Sequence, residues 1–222
     1  RAGGQRNWGL VRTKAVSAQS HALERRLRGL IRKEGDELRA MVAPLDQAPR
    51  AVPADPIDPT RAAEVMDHAD DELTRLMTGL MRQAADTGYR LAVQMVEGFD
   101  SQSEGSADVE DVVAQRVTDV IRAYRTRRHH VLDTVAAENE MKDQLFTAIG
   151  EAWRDLATHL VDVIASGETA WAFENGSQKG WGATGFRSLK VVPCRDCDGC
   201  EDPQQVPVHP ECRCFMVPVE LT

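Results

Sequence analysis

The chain has 222 residues, of which 42% are hydrophobic but only 5% aromatic, and a formal net charge of −8. That length suits one large or two small domains, with a core drawn mostly from Ala, Val, Leu, Ile and Met. No apolar run approaches the ~20 residues of a bilayer span, which excludes a transmembrane protein. The five cysteines are confined to Cys194–Cys214, whereas a disulfide-laced secreted scaffold spreads its cysteines and leaves none over. The opening on Arg1 rather than Met is expected of a processed or trimmed piece of a longer chain.

Charge is unevenly placed: residues 1–42 carry ten basic and four acidic side chains, while residues 194–222 carry two and six. Leu23, Leu27, Leu30, Ile31, Leu38 and Met41 recur at mostly helical intervals and predict an amphipathic helix from about Ser17 to Val42. The stretch 1–43 thus reads as a basic N-terminal helical arm. Pro44, Pro49, Pro53, Pro56 and Pro59 make 44–60 an extended linker. The Asp58-Pro59-Thr60 signal starts a second helix, giving a helical segment over 61–99. Its stripe is Val65, Ala69, Leu73, Leu76, Leu80, Ala84, Leu91 and Met95, with Gly88 a candidate break. Residues 100–106 (DSQSEGS) are a loop.

A third helix is expected from about Ala107 to Ala137, with Val109, Val113, Val117, Val120, Tyr124, Val131 and Val135 inward. A fourth, about Glu140 to Phe173, places Leu145, Ile149, Ala152, Leu156, Leu160 and Val163 in heptad-like order, suited to lengthwise packing on other helices or on copies of itself. Two basic clusters stand out: Arg25, Arg26, Arg28, Arg32 and Lys33 on the first helix, and Arg122, Arg125, Arg127 and Arg128 on the third, followed by His129 and His130. Each is either a contact for DNA or an acidic partner, or a solvated helix face.

After Asn175 the texture changes. Gly176, Gly180, Gly182 and Gly185 predict a loop-rich stretch, then Phe186–Val192 a short strand. Phe215, Val217, Val219 and Leu221 alternate with Met216, Pro218 and Glu220, the period of a half-buried strand that Pro218 confines to an edge. The strands bracket Cys194-x2-Cys197-x2-Cys200-x8-His209-x2-Cys212-x-Cys214. Close pairs of soft ligands on either side of a loop can close a tetrahedral shell around zinc, whereas calcium and magnesium demand oxygens. The first ligand choice is Cys194, Cys197, His209 and Cys212, with Cys200 and Cys214 as alternates, and an all-cysteine set using Cys214 in place of His209 comes next. Reduced thiols or a local disulfide are the metal-free reading. With few large apolar residues, this segment lacks a core of its own, and a structural zinc would supply on the order of 10 kcal/mol of folding free energy. The expected class is α+β and predominantly α-helical: long amphipathic helices followed by a small C-terminal β/loop zinc-knuckle module at about 186–221.

Enzyme signatures are weak. Pro193-Cys194-Arg195-Asp196-Cys197 and His209-Pro210-Glu211 match the two halves of the zinc deaminase pattern, but in inverted order and without a following helix. Glu168 has no marked catalytic partner in the sequence.

The run Ile164-Ala165-Ser166-Gly167-Glu168-Thr169-Ala170-Trp171-Ala172-Phe173-Glu174-Asn175-Gly176 resembles the "I-A-R-T-E-x-x-x-A-x-N-x-G" segment of the phage Mu F-like minor head (head morphogenesis) proteins. In that family a Trp-bearing stretch, a Cys-x-x-Cys and a closing H-P-x-C-R-C follow. This chain has Trp181, Cys194-x-x-Cys197 and His209-Pro210-Glu211-Cys212-Arg213-Cys214 in the same order. Ser166-Gly167 stand where the family has Arg-Thr, the Asn falls one place late, and Cys200 is inserted. The resemblance covers roughly residues 107–218 and implies that 107–222 is a head morphogenesis domain ending in the knuckle. It further implies a non-enzymatic virion component at the portal vertex inside the capsid, made in the host cytoplasm and acting in head assembly or DNA delivery. The implied partners are the portal protein, capsid or other head proteins and packaged DNA, with no membrane. The rival expectation is a cellular zinc-bearing nucleic-acid-binding or regulatory module; a zinc-dependent hydrolase or deaminase ranks last.

Overall fold

The computed structural model describes residues 2–42, 54, 57–97, 107–192 and 214–219. The protein is predominantly helical with one small sheet. Helix α1 spans Ala2–Val42, α2 Pro59–Glu97, α3 Glu110–Glu138, α4 Lys142–Asp155 and α5 Val161–Ala183; a π-helical turn, Leu156–Leu160, joins α4 to α5. Strands β1 (Leu189–Val192) and β2 (Phe215–Pro218) pair antiparallel, Leu189 opposite Pro218 and Val192 opposite Phe215. No described helix is long and apolar enough to cross a membrane.

Two compact units divide the chain. The first comprises Arg1–Glu24, Thr78–Ala114 and Val163–Thr222; the second comprises Arg25–Met77 and Gln115–Asp162. Each unit draws on all three of the stretches 1–43, 61–99 and 107–222.

Local chemistry accounts for several helix ends. Asp58 caps α2, its Oδ1 accepting from the Thr60 N–H at 2.9 Å, and Pro59 takes the first helical position, where its missing N–H costs nothing. Helix α5 ends in a Schellman motif. Gly185, at φ +91°, lets its own N–H reach Gly182 O (3.0 Å) while the Phe186 N–H reaches Trp181 O (3.1 Å), and the Phe186 ring closes against Trp181.

Other boundaries depart from the sequence expectation. Helix α1 begins at Ala2 rather than near Ser17: Trp8 is 1% exposed in a core with Phe173 and Trp181, and that burial outweighs the poor helix propensity of Gly3, Gly4 and Gly9. Gly88 does not break α2, and the loop expected after Asn175 is helix as far as Ala183. The reason is packing. A methyl group on Gly176 would collide with the Ala85 carbonyl, one on Gly88 with the Phe173 carbonyl, and one on Gly180 would sit 2.6 Å from Tyr89 O. These three glycines let α2 and α5 approach backbone to backbone. Of the four glycines read as loop markers, only Gly185 acts as one.

The wide π turn moves the inward face by one residue. Leu145, Ile149 and Trp153 are buried before it, Leu156 and Ala157 within it, and Val161 and Ala165 after it, so Val163, expected inward, is 47% exposed. On α2 the deeply buried row is Met66, Leu73, Met77 and Met81, with Leu76 and Leu80 beside it. Strand β2 buries Val217 as its alternation predicts, but the chain leaves the sheet after Pro218 and Val219 is exposed.

The glycine contacts make a paired test. Gly176→Ala must push two backbones apart and should lower stability by about 1–3 kcal/mol. Gly182→Ala, in the same helix with open space at its Cβ position, should instead raise it by roughly 0.5–1 kcal/mol. Urea unfolding midpoints of the two variants check the sign of each.

Candidate functional site

The first unit gathers its C-terminal strands on an aromatic cluster. Trp8 from α1 meets Trp181 edge-on (centroids 5.0 Å) and Phe173 at 5.9 Å, and Ala92 and Val217 complete the buried set. Phe186, Leu189, Val192 and Phe215 pack against it. Behind these rings lies a buried ion pair: the Arg12 Nε–H donates to Glu174 Oε1, with the side chains 3% and 0% exposed. Glu174 Oε2 also accepts from the Met216 N–H of β2 at 3.5 Å. One carboxylate therefore ties α1, α5 and β2 together. Burial pushes the Glu174 carboxyl above its ordinary pKa, against the pull of Arg12 and the Met216 amide.

The sheet fixes where the cysteine-bearing segment leaves and returns. Because Val192 pairs with Phe215, the two ends of segment 193–214 lie side by side. Cys214 is fully buried next to β2. Cys194, Cys197, Cys200, His209 and Cys212 lie outside the described residues. Among the described residues no group of three His, Cys, Asp or Glu side chains is arranged to hold a metal ion. Glu168, in the run carrying the family resemblance, is buried on α5.

The basic clusters resolve into different environments within the second unit. Arg25, Arg26 and Arg32 are exposed on α1, while Arg28 bonds Asp162 (2.6 Å) and Lys33 lies between Glu72 (3.4 Å) and Glu37 (4.0 Å). On α3, Arg122 bonds Asp119 at 3.2 Å and Arg127 is exposed. Arg125 pairs with Asp67 and, at 2.5 Å, with Asp70. Arg128 is not a surface group: its side chain is 0% exposed, bonded to Glu34 at 2.6 Å and to Asp70, with its guanidinium carbon 4.4 Å from the centre of the Tyr124 ring. That removes Arg128 from any basic surface.

This network went unnoticed in the sequence because Arg128 lies 94 residues from Glu34 and 58 from Asp70, within ordinary charged helix patterns. The one available signal was position. Glu34 falls on the Leu27–Ile31–Leu38 face of α1, and Asp70 sits beside Ala69 and Leu73 on the buried face of α2, placements that a solvated carboxylate avoids.

Two buried carboxylates share the Arg128 guanidinium, and Glu34 Oε2 has no hydrogen-bond partner among the described residues. The Trp153 indole N–H lies near that carboxylate but outside hydrogen-bond geometry. Burial accordingly raises the Glu34 pKa from 4.5 to about 7, with Arg128 and Trp153 opposing and Asp70 adding to the rise. Burial and the Glu34 charge likewise push the Tyr124 hydroxyl upward, so it stays protonated at neutral pH. A separate cavity of about 610 Å³ lies in this unit, floored by Ile57, Ala62, Leu132 and Leu145, with His129, Asp133 and Glu140 among its walls.

The Glu34 shift has a definite sign. Between pH 4.5 and about 7 the folded chain holds a proton on Glu34 that the unfolded chain has released, so this group makes stability fall as pH rises through that window. Glu34→Gln keeps a hydrogen-bonding side chain and should flatten that decline. Chemical denaturation of both proteins at pH 5 and pH 8 measures it, and parallel pH profiles would refute the assignment.

Set against family models, curated proteins and solved structures, the chain finds no match in any of the three.

Proposed function

We propose that the protein is a minor head component of a phage, associated with the portal inside the capsid, and that it works by structure and interaction rather than catalysis. One observation carries most of the weight. The Val192–Phe215 pairing brings together the two ends of the segment that bears the cysteines, and a knuckle drawing ligands from both ends of a loop needs that closure. The ordered motifs from Ile164 to Cys214 supply the family likeness. They include Glu174-Asn175-Gly176, where Glu174 and Gly176 are both packing residues of the first unit.

Thiolates and an imidazole suit zinc, and Cys194, Cys197, His209 and Cys212 would hold it, with Cys200 and Cys214 as alternates. The metal's role in this reading is to fix the fold of a segment short of apolar residues. The helices are the surfaces offered to the portal, to other head proteins or to a second copy of the chain. Buried carboxylates favour this assignment over a hydrolase: Glu34, Asp70 and Glu174 are each engaged by an arginine. The rival reading, a cellular zinc-bearing nucleic-acid-binding or regulatory module, draws on the exposed α1 arginines and predicts no particle association.

Two measurements test the proposal separately. Protein purified under reducing, chelator-free conditions should contain close to one zinc per chain and lose it on Cys197→Ser; metal-free protein would overturn the zinc centre. Purified particles of the parent virus should retain the chain, and deleting its gene should arrest or impair head assembly. Particles that lack it and assemble normally without it would overturn the head assignment.

A further inference from the structure

The structure separates the α1 arginines that are engaged from those that are not, and the second group has its own pattern. Residues 25–33 (RRLRGLIRK) hold five cations and no carboxylate. Arg28 is engaged by Asp162, and Lys33 is shared between Glu72 and Glu37. Arg25, Arg26 and Arg32 are exposed and have no ion pair with any described residue. Arg25 and Arg32 are seven residues apart, so they lie on one line of the helix about 10.5 Å from each other. Between them on the same face is Gly29, exposed, with open space where a side chain would begin. The result is two arginines flanking a bare patch of backbone, with Arg26 and Lys33 along one side. The next acidic residue on that face, Asp36, is bonded by Arg39.

We infer that this stripe is a docking surface for the phosphate backbone of duplex DNA. It deepens the proposed function by naming the surface that meets packaged DNA, and it rests on that reading for its biological setting only. Arg25, Arg26 and Arg32, the cations of this stripe not engaged by a carboxylate among the described residues, complement the uniform charge of a phosphate rail. Guanidinium groups bind phosphate through paired N–H donors. Gly29 lets the helix backbone come close without a side chain in the way. The stripe carries no aromatic side chain, and the one aromatic residue of α1, Trp8, is buried in the first unit, so there is no platform on which single-stranded bases could stack. The α3 cluster offers no equivalent surface, because Arg122 and Arg125 are engaged by carboxylates and Arg128 is buried.

The test uses the full chain in reducing, zinc-supplemented buffer and fluorescence anisotropy with a random-sequence duplex. Three freed phosphate contacts predict a slope of log affinity against log salt of about −3. The triple variant Arg25→Gln/Arg26→Gln/Arg32→Gln should lose at least about tenfold in affinity at low salt and most of that slope. Arg25→Lys/Arg26→Lys/Arg32→Lys should retain binding within a few fold, and Arg127→Gln should leave it unchanged. The inference is overturned by any one of four results: no duplex binding at low salt, binding indifferent to the glutamine variant, equal or tighter binding of the matching single strand, or competition by polyglutamate as effective per charge as DNA, which would identify an acidic protein partner. If the glutamine variant has lost helix content by circular dichroism, the lysine variant and Arg127→Gln decide: loss of binding in the first or in the second overturns it. Duplex binding by a chain absent from particles would overturn the head assignment alone.

Discussion

A backbone-to-backbone contact between α2 and α5, permitted by Gly88, Gly176 and Gly180, governs the first unit. Helices bearing ordinary side chains hold their axes roughly 8–10 Å apart, and removing Cβ atoms along one seam brings them closer. That approach sets Phe173 and Trp181, on the same helix as Gly176 and Gly180, against Trp8 and Ala92. It also buries Glu174, which must then find a cation and a donor nearby; Arg12 and the Met216 amide are the ones present. The sheet is thereby joined to the helices by both apolar packing and a charge, and the two contributions depend on the same close contact.

The second unit reaches order by a different route. Its interior holds a guanidinium rather than an aromatic cluster, with carboxylates arriving from α1 and α2 and Tyr124 beneath. Replacing such a network by apolar residues is often neutral or stabilising, whereas removing one member typically costs 3–5 kcal/mol. The network therefore does more to select one alignment of α1, α2 and α3 within this unit than to add stability, since a shift of one turn would strand a buried charge. Glu34, whose pKa lies near neutrality, is its least settled member.

What the sequence disclosed followed from how local each signal was. The Asp58-Pro59 start of α2 and the existence of the long helices depend on neighbouring residues and were legible; the proline-rich linker expected before α2 lies mostly outside the described residues. Legible too were two short strands on either side of the cysteines, though their pairing with each other came only with the structure. Gly176 and Gly180 were misread because glycine in a loop and glycine at a helix–helix seam look alike until the opposing helix is known; no feature within α5 distinguishes them. The π turn was hidden for a related reason: the heptad-like order continues through Leu160 on paper, and only the burial of Val161 reveals the extra residue. Arg128 illustrates the converse. Five arginines or histidines around it made a surface seem natural, yet its burial was decided by Glu34 and Asp70, which no spacing rule connects to it. Of the candidate zinc ligands, the sequence could name the donor types, and the register of β1 and β2 adds that Val192, before them, pairs with Phe215, after them.

The small sheet has one more consequence. Among the described residues it has two strands, so each is also a boundary strand, and in β2 the outward Met216 amide is already taken by Glu174. Such boundaries invite end-on polymerisation unless something interrupts them. Here Lys190 stands exposed in β1, and Pro218 closes β2 with a residue that has no N–H to offer. Four-residue strands guarded in this way can pair with each other without templating the next copy.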